Sequence, residues 1–176
     1  MLKIKKKIIT QKHIIDNLEI KIKEFAFYSK LKKQNNKKSI IGELKRASPS
    51  LGKFVNKDIN IVKIAKSYED NNISCLSVLT DEKYFSGSID DLVQIREKTS
   101  LPILRKDFIV DEYQIYESKL YGADCILIIL SMLQQSDADK FSKIATELNM
   151  DTIIEVHNKE ELQRAETMKS NMIGIN

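Results

Sequence analysis

The sequence predicts an α/β protein with parallel strands, and three observations predict it. From position 39 onward, short apolar runs alternate with amphipathic stretches, a strand–helix rhythm repeated five times and followed by a sixth apolar run. One run, Ala123–Leu130, is apolar almost throughout, as expected of a strand buried on both faces. Polar residues recur where the runs end, most clearly Lys106 and Asp107 after Leu101–Leu104. In parallel α/β proteins the carboxyl ends of the strands form the edge where chemistry is done.

Taken in order, residues 1–36 read as helix, with Gly and Pro absent and Asn35–Asn36 breaking the pattern. Ser39–Leu44 reads as a strand, and Asp58–Asn71 as a helix with Ile61, Ile64, Ala65 and Tyr68 on one face. Ile73–Leu79 is the second strand. Ser88 opens the next helix, with Asp91 three residues on in a capping-box-like pair. Leu101–Leu104 is the third strand. Asp111 caps the following helix with Gln114, and Gly122 closes it. Ala123–Leu130 is the fourth strand, Ser136–Asn149 a helix, and Thr152–Val156 the fifth strand. Asn158 caps a helix with Glu161 three residues on, and Met172–Asn176 begins a sixth strand.

Such units imply right-handed crossovers in either an open doubly wound sheet or a (β/α)8 barrel. No G-x-G-x-x-G follows any strand, which argues against a dinucleotide-binding sheet. Polar ends on successive strands suit a barrel mouth. A closed barrel has eight strands and takes about 250 residues. The 176-residue chain supplies six strands, so the expectation is an N-terminal portion of a longer fold. The division expected is a helical extension over 1–38 and a partial barrel over 39–176.

Composition narrows the classes. Lys and Arg (29) nearly balance Asp and Glu (25), for a net charge of +4, which describes a mixed surface rather than a nucleic-acid footprint. The basic residues before position 46 read as a solvated face. Cys75 and Cys125 each lie within an apolar run, as small core residues of a reducing compartment. No apolar run approaches the ~20 residues of a membrane span, and no secretory signal is evident. The expectation is a cytoplasmic chain.

The strand ends carry the candidate chemistry. Glu43 and Lys45 sit two apart and face one side together, as a substrate-binding pair or an internal salt bridge. The loop Arg46–Gly52 offers hydroxyls and backbone N–H groups. Phe85, after the second strand, either covers an aromatic ligand or packs under its loop. Lys106 ends the third strand, Glu155 the fifth, and Asn176 the sixth. Two glutamates, two lysines and an asparagine at one mouth suit acid–base chemistry on a small anionic substrate. His157 and His13 lack metal-ligand spacing, and no Cys/His/Asp cluster suggests a metal.

Six stretches in order carry a resemblance: Ile41–Gly52, Ser77–Ser88, Leu104–Tyr116, Gly122–Asp124, Glu155–Asn158 and Gly174–Asn176. Together they resemble the motifs of indole-3-glycerol phosphate synthase. The N-terminal segment is only loosely similar to that family's extra helix. The resemblance implies a (β/α)8 barrel in tryptophan biosynthesis that closes 1-(2-carboxyphenylamino)-1-deoxyribulose 5-phosphate into an indole. Carbon dioxide and water are lost, and no cofactor is used. By motif, Lys106 would be the general acid at ring closure and Glu155 would act in the later dehydration. Glu43 and Lys45 would position the substrate, with Lys45 near its carboxylate, and Asn176 would hold polar groups. Ser48, Phe85, Phe108 and Leu127 would line the pocket.

The family pattern continues beyond Asn176 with two more strands and the loops that hold the substrate phosphate. The alternative implied is an inactive or partner-dependent fragment lacking those loops. Asp81–Ser88 and Asp107–Tyr116 are worded like the enterobacterial type, which is fused to phosphoribosylanthranilate isomerase, so a fused isomerase domain is a further expectation. Other phosphate-binding barrel enzymes of the pathway fit less well, because they lack the Lys106-Asp-Phe108 motif and the Glu43/Lys45 pair. A basic surface-binding module over the first 36 residues is a third alternative.

Overall fold

The computed structural model describes residues 26–32, 38–48, 52–53 and 60–176. Six strands form one parallel sheet in the order β1 (Ile41–Leu44), β4 (Cys75–Leu79), β5 (Ile103–Lys106), β6 (Cys125–Ile129), β7 (Asp151–Val156) and β8 (Met172–Ile175). Apart from a short ribbon between the first two, neighbours in the sheet are consecutive in the chain, as strand–helix–strand units demand. A two-residue antiparallel ribbon, β2 (Ala47–Ser48) and β3 (Gly52–Lys53), follows β1. The helices are α1 (Ala26–Lys32), α2 (Ile61–Asp70), α3 (Glu82–Phe85), α4 (Ile89–Arg96), α5 (Glu112–Leu120), α6 (Gln135–Glu147) and α7 (Lys159–Glu166). The sheet is curled: it is six strands of a (β/α)8 barrel.

Strand alternation divides the core in two. Leu44, Leu76, Val78, Ile103, Ile126, Ile128, Ile154 and Val156 face the helices and pack with Ile61, Leu92, Ile115 and Phe141. The intervening positions Cys75, Leu104, Cys125, Leu127 and Ile129 form a second cluster on the concave face. Phe27 of α1 is fully buried in that cluster. It is anchored there by the Phe27 and Tyr28 N–H groups, which donate to Asp151 Oδ2 at 3.0 and 2.9 Å. Both cysteines are free and buried, and burial pushes the Cys75 thiol up to about 12.

Several boundaries differ from the sequence reading. Within the helix expected over 1–36, the described part is helical at Ala26–Lys32, and residues 1–25 and 33–37 lie outside the described residues. Asp58 also lies outside them; Asn60 caps α2, its side chain accepting from Lys63 N at 3.1 Å. The third strand runs over Ile103–Lys106 rather than Leu101–Leu104. Pro102 has no N–H to give a ladder, though its carbonyl accepts from Leu76 N at 2.9 Å. The apolar run to Leu130 leaves the sheet after Ile129 and closes in a 3-10 turn, Leu130–Met132. Helix α3, a single turn, has no counterpart among the expected elements: Asp81 caps it by accepting from Tyr84 N at 2.6 Å.

Two capping expectations separate. Asp111 and Gln114 form a complete capping box on α5. Gly122 follows that helix with φ +89°, a left-handed conformation, and a Cβ there would meet Arg96 Cγ at 2.5 Å. Ser88 caps α4 as expected, accepting from Asp91 N at 3.2 Å. The Asp91 carboxylate does not complete the box, because it takes both guanidinium nitrogens of Arg46.

Candidate active site

The strand register brings the polar ends onto one face. Glu43 lies opposite Ser77 across β1/β4, and Leu79 opposite Lys106 across β4/β5. Ile129 lies opposite Glu155 across β6/β7, and Glu155 opposite Gly174 across β7/β8. Glu43, Lys106 and Glu155 therefore share the concave parity, at the carboxyl ends of their strands. Glu43 Oε1 accepts from Lys45 Nζ at 2.8 Å, and Glu43 Oε2 from Lys106 Nζ at 3.1 Å. Of the two sequence readings of Glu43 and Lys45, the ion pair forms, and it extends to a second lysine. Burial pushes the Glu43 carboxyl up, but the hydrogen bonds from Lys45 and Lys106 outweigh it and hold its pKa below the ordinary value of 4.5.

A cleft of about 330 Å³ opens beside this chain of charges. Lys106, Phe85, Phe108, Leu127, Glu155 and Asn176 line it. Asn176 Nδ2 donates to Glu155 Oε1 at 3.2 Å. The Phe85 and Phe108 rings stand 6.4 Å apart, and Tyr84 meets Phe108 edge-on at 5.9 Å. Ser48 is buried in β2, against which α3 packs; it is not among the residues lining the cleft, and neither are Glu43 and Lys45, which reach it through Lys106. Asp81, Asp107, Ser131 and His157 line it too, beyond the residues expected to form the site. Asp81, Asp107 and His157 carry a visible signal, as polar residues immediately after strands; Ser131 follows the buried Leu130 and carries none.

His157, which by spacing offers no metal site, lies between two carboxylates. Its Nε2 lies 3.3 Å from Glu155 Oε1 and its Nδ1 3.3 Å from Glu161 Oε2. Among the described residues, no group of three or more His, Cys, Asp or Glu side chains could hold a metal ion.

The loop after Lys106 is fixed from behind. Arg105 is 5% exposed and points to the helix side. Its guanidinium donates to Asp107 Oδ2 at 3.0 Å, Glu117 Oε2 at 2.8 Å, Ser118 Oγ at 3.2 Å and Thr80 Oγ1 at 3.1 Å. Asp107 Oδ1 accepts from Phe108 N at 2.8 Å, and Gln114 Nε2 donates to the Phe108 carbonyl at 3.0 Å. A lysine facing the cleft is thus followed by a carboxylate and an aromatic that are held in place.

Among solved structures, the chain is similar to N-succinyl Arg/Lys racemase from Bacillus cereus (TM-score 0.59, 16% identity, 81% of this chain and 38% of that one). It is also similar to L-Ala-D/L-Glu epimerase from Bacillus subtilis (TM-score 0.56, 13% identity, 77% and 38%). At these identities the likeness concerns the fold alone. Sequence comparison goes further. The chain is 48% identical over 144 residues to indole-3-glycerol phosphate synthase of Legionella pneumophila, covering 82% of this chain and 55% of that protein. It is 44% identical over 172 residues to the enzyme of that name from Prochlorococcus marinus, covering 97% and 58%. The chain therefore spans a little over half the length of the curated relatives it matches. The family model for indole-3-glycerol phosphate synthase matches residues 1–176. With that match and those identities, the chain belongs to the indole-3-glycerol phosphate synthase family.

Proposed function

We propose that this chain carries the ring-closing chemistry of its family. The reaction turns 1-(2-carboxyphenylamino)-1-deoxyribulose 5-phosphate into indole-3-glycerol phosphate, with loss of carbon dioxide and water and no cofactor. The observation that carries the reading is the Lys45–Glu43–Lys106 chain of charges beside a cleft that also holds Glu155 and Asn176. Lys106 gives a proton to the ketone oxygen as the ring closes onto that carbon. Lys45 receives the substrate carboxylate, and Glu43, bonded to both ammonium groups, sets their spacing. Glu155 handles a proton in the dehydration, and Asn176 holds substrate polar groups. Phe85, Phe108 and Leu127 supply an apolar wall for the aromatic ring, with Ser48 assigned beside them by motif. The division inferred is an N-terminal extension over 1–38, helical at Ala26–Lys32, before a barrel portion over 39–176.

The partners inferred are a phosphorylated small molecule and, in the full-length protein, a fused isomerase domain, with no nucleic acid. A cytoplasmic location is inferred from two free, buried cysteines. The test of function is turnover of the substrate by the 176-residue chain with Lys106→Ala beside it. Product that disappears in the variant supports the reading, and product that persists overturns it.

The sheet edges favour a second reading. Ile173 and Ile175 on β8 are 42% and 86% exposed, and Ile40 and Ile41 at β1 are 57% and 37% exposed. Apolar edge positions of this kind suit further strands, and on this reading the chain is inactive until they are supplied. Absence of product from the 176-residue chain, with product from a longer chain of the same protein, selects it.

A further inference from the structure

The sequence pair Asn158/Glu161 reads as a helix cap, and half of it is one. Asn158 Oδ1 accepts from Glu161 N at 2.8 Å. In an ordinary capping box the N3 carboxylate would return to the cap residue's own N–H. Here Glu161 is turned one residue further back. Its Oε2 accepts from His157 N at 2.9 Å and faces His157 Nδ1 at 3.3 Å, while Oε1 accepts from Asn158 Nδ2 at 2.8 Å. Glu161 is buried and fixed by these bonds, and they hold its pKa below the ordinary value. A carboxylate that anchors both the backbone and the ring of one histidine does more than end a helix.

The consequence falls on the other ring nitrogen. With Nδ1–H given to Glu161, the neutral ring presents Nε2 as an acceptor. Nε2 faces Glu155 Oε1, the oxygen that also accepts from Asn176 Nδ2 at 3.2 Å. We propose that His157, oriented by Glu161, is a positioning residue and proton partner for Glu155. A proton that Glu155 holds on Oε1 passes to Nε2, leaving a carboxylate beside an imidazolium, with no change in total charge. Return of the proton resets Glu155. The role rests on the reading of Glu155 as the dehydration residue.

The charged groups around the ring are Glu155 from β7 and Glu161 from α7. Asp81, Lys106 and Asp107 line the same cleft from the ends of β4 and β5. The ring is 37% exposed by side chain, so it also meets water.

Two measurements test the proposal. The first is the ring 15N spectrum of His157 at a pH where the ring is neutral. The chain has two histidines, and His13→Gln leaves only the signal of His157. The expected signal is that of the Nδ1–H form. Glu161→Ala should convert it to the commoner Nε2–H form, and Glu161→Gln, which keeps an acceptor oxygen, should restore part of the Nδ1–H signal. An Nε2–H ring in the unmodified chain, or one indifferent to Glu161→Ala, overturns the proposal.

The second is kinetic, in whichever length of the chain turns over. His157→Gln should lower kcat roughly ten- to a hundredfold with KM little changed, and should displace the limb of the pH–rate profile that Glu155→Gln removes. Glu161→Ala should act in the same direction, and the double variant should be no worse than His157→Gln alone. An unchanged profile in His157→Gln overturns the proposal. If Lys106→Ala leaves turnover intact, the reading of the function fails instead, and the spectrum still decides how His157 is held.

Discussion

Lys106 Nζ lies 3.1 Å from Glu43 Oε2, across 63 residues of chain and two strand crossings. Glu43 holds Lys45 with its other oxygen, so one carboxylate spaces two ammonium groups. Lys106→Ala removes the proposed proton donor and should lower kcat by roughly 10²-fold or more. Glu43→Gln should cost less in kcat but raise KM, because two like charges then repel without the anion between them. Steady-state kinetics on the two variants separates these effects, and equal losses of kcat from both would contradict the division of roles.

Period-two alternation makes this much of the site legible in the sequence. Glu43, Lys106 and Glu155 each end an apolar run, and a strand's residues are bound to alternate faces, so their meeting on the concave face follows from local pattern. Other features depend on distance through space. Arg105 sits one residue before Lys106 and reads as a second basic end, yet alternation sends it to the helix side, into contact with Glu117 and Ser118. His157 stands two residues past Glu155, as Lys45 does past Glu43, so alternation puts those two together, but no strand period marks its contact with Glu161 across the strand–helix turn. Phe27 belongs to a helix rich in lysine, and its burial against Cys75 and Leu104 has no signature in spacing.

Arg105 is the buried cation on which the loop Asp107–Phe108 depends. Arg105→Leu would leave the Asp107 and Glu117 carboxylates without their shared partner, and breaking a buried pair from one side costs about 3–5 kcal/mol. Arg105→Lys should recover only part of this, since an ammonium lacks the planar fork that serves five acceptors. Urea unfolding at neutral pH is the measurement, and a loss below about 1 kcal/mol for Arg105→Leu would show that the network is not structural.

Glu69 makes stability depend on acid. Hydrogen bonds from Lys66 and from the Ser100 backbone lower its pKa from 4.5 to about 2, with Ser100 tying α2 to the turn before β5. A lowered carboxyl pKa gives stability that is present above the unfolded value near 4.5 and is lost as pH falls through about 2. Because the pair lies near solvent, screening reduces the contribution to about 1 kcal/mol. Between those pH values the unmodified chain should lose about that much more stability than Glu69→Gln. Parallel acid curves for the two proteins would contradict the assignment.

Asp151 and Phe27 lock α1 under the sheet, and the lock has two separable parts. Phe27→Ala empties a fully buried site among Cys75, Leu104, Cys125 and Leu127 and should cost about 3–5 kcal/mol. Asp151→Ala removes the acceptor of two backbone N–H groups and should cost about 1–3 kcal/mol. Burial pushes the Asp151 carboxyl up more than those two N–H groups pull it down, so its pKa stays above the ordinary 3.8. A raised carboxyl pKa gives stability that is present at low pH and lost as pH rises through the folded value. Asp151→Asn keeps an acceptor oxygen without the buried charge, so at neutral pH it should be far milder than Asp151→Ala and should remove that slope. Both alanine variants undock the same helix. Their double variant should therefore fall short of the sum of the singles by about 1 kcal/mol or more in urea unfolding. Strict additivity would mean that Phe27 stays seated without Asp151, and that the carboxylate does not hold α1.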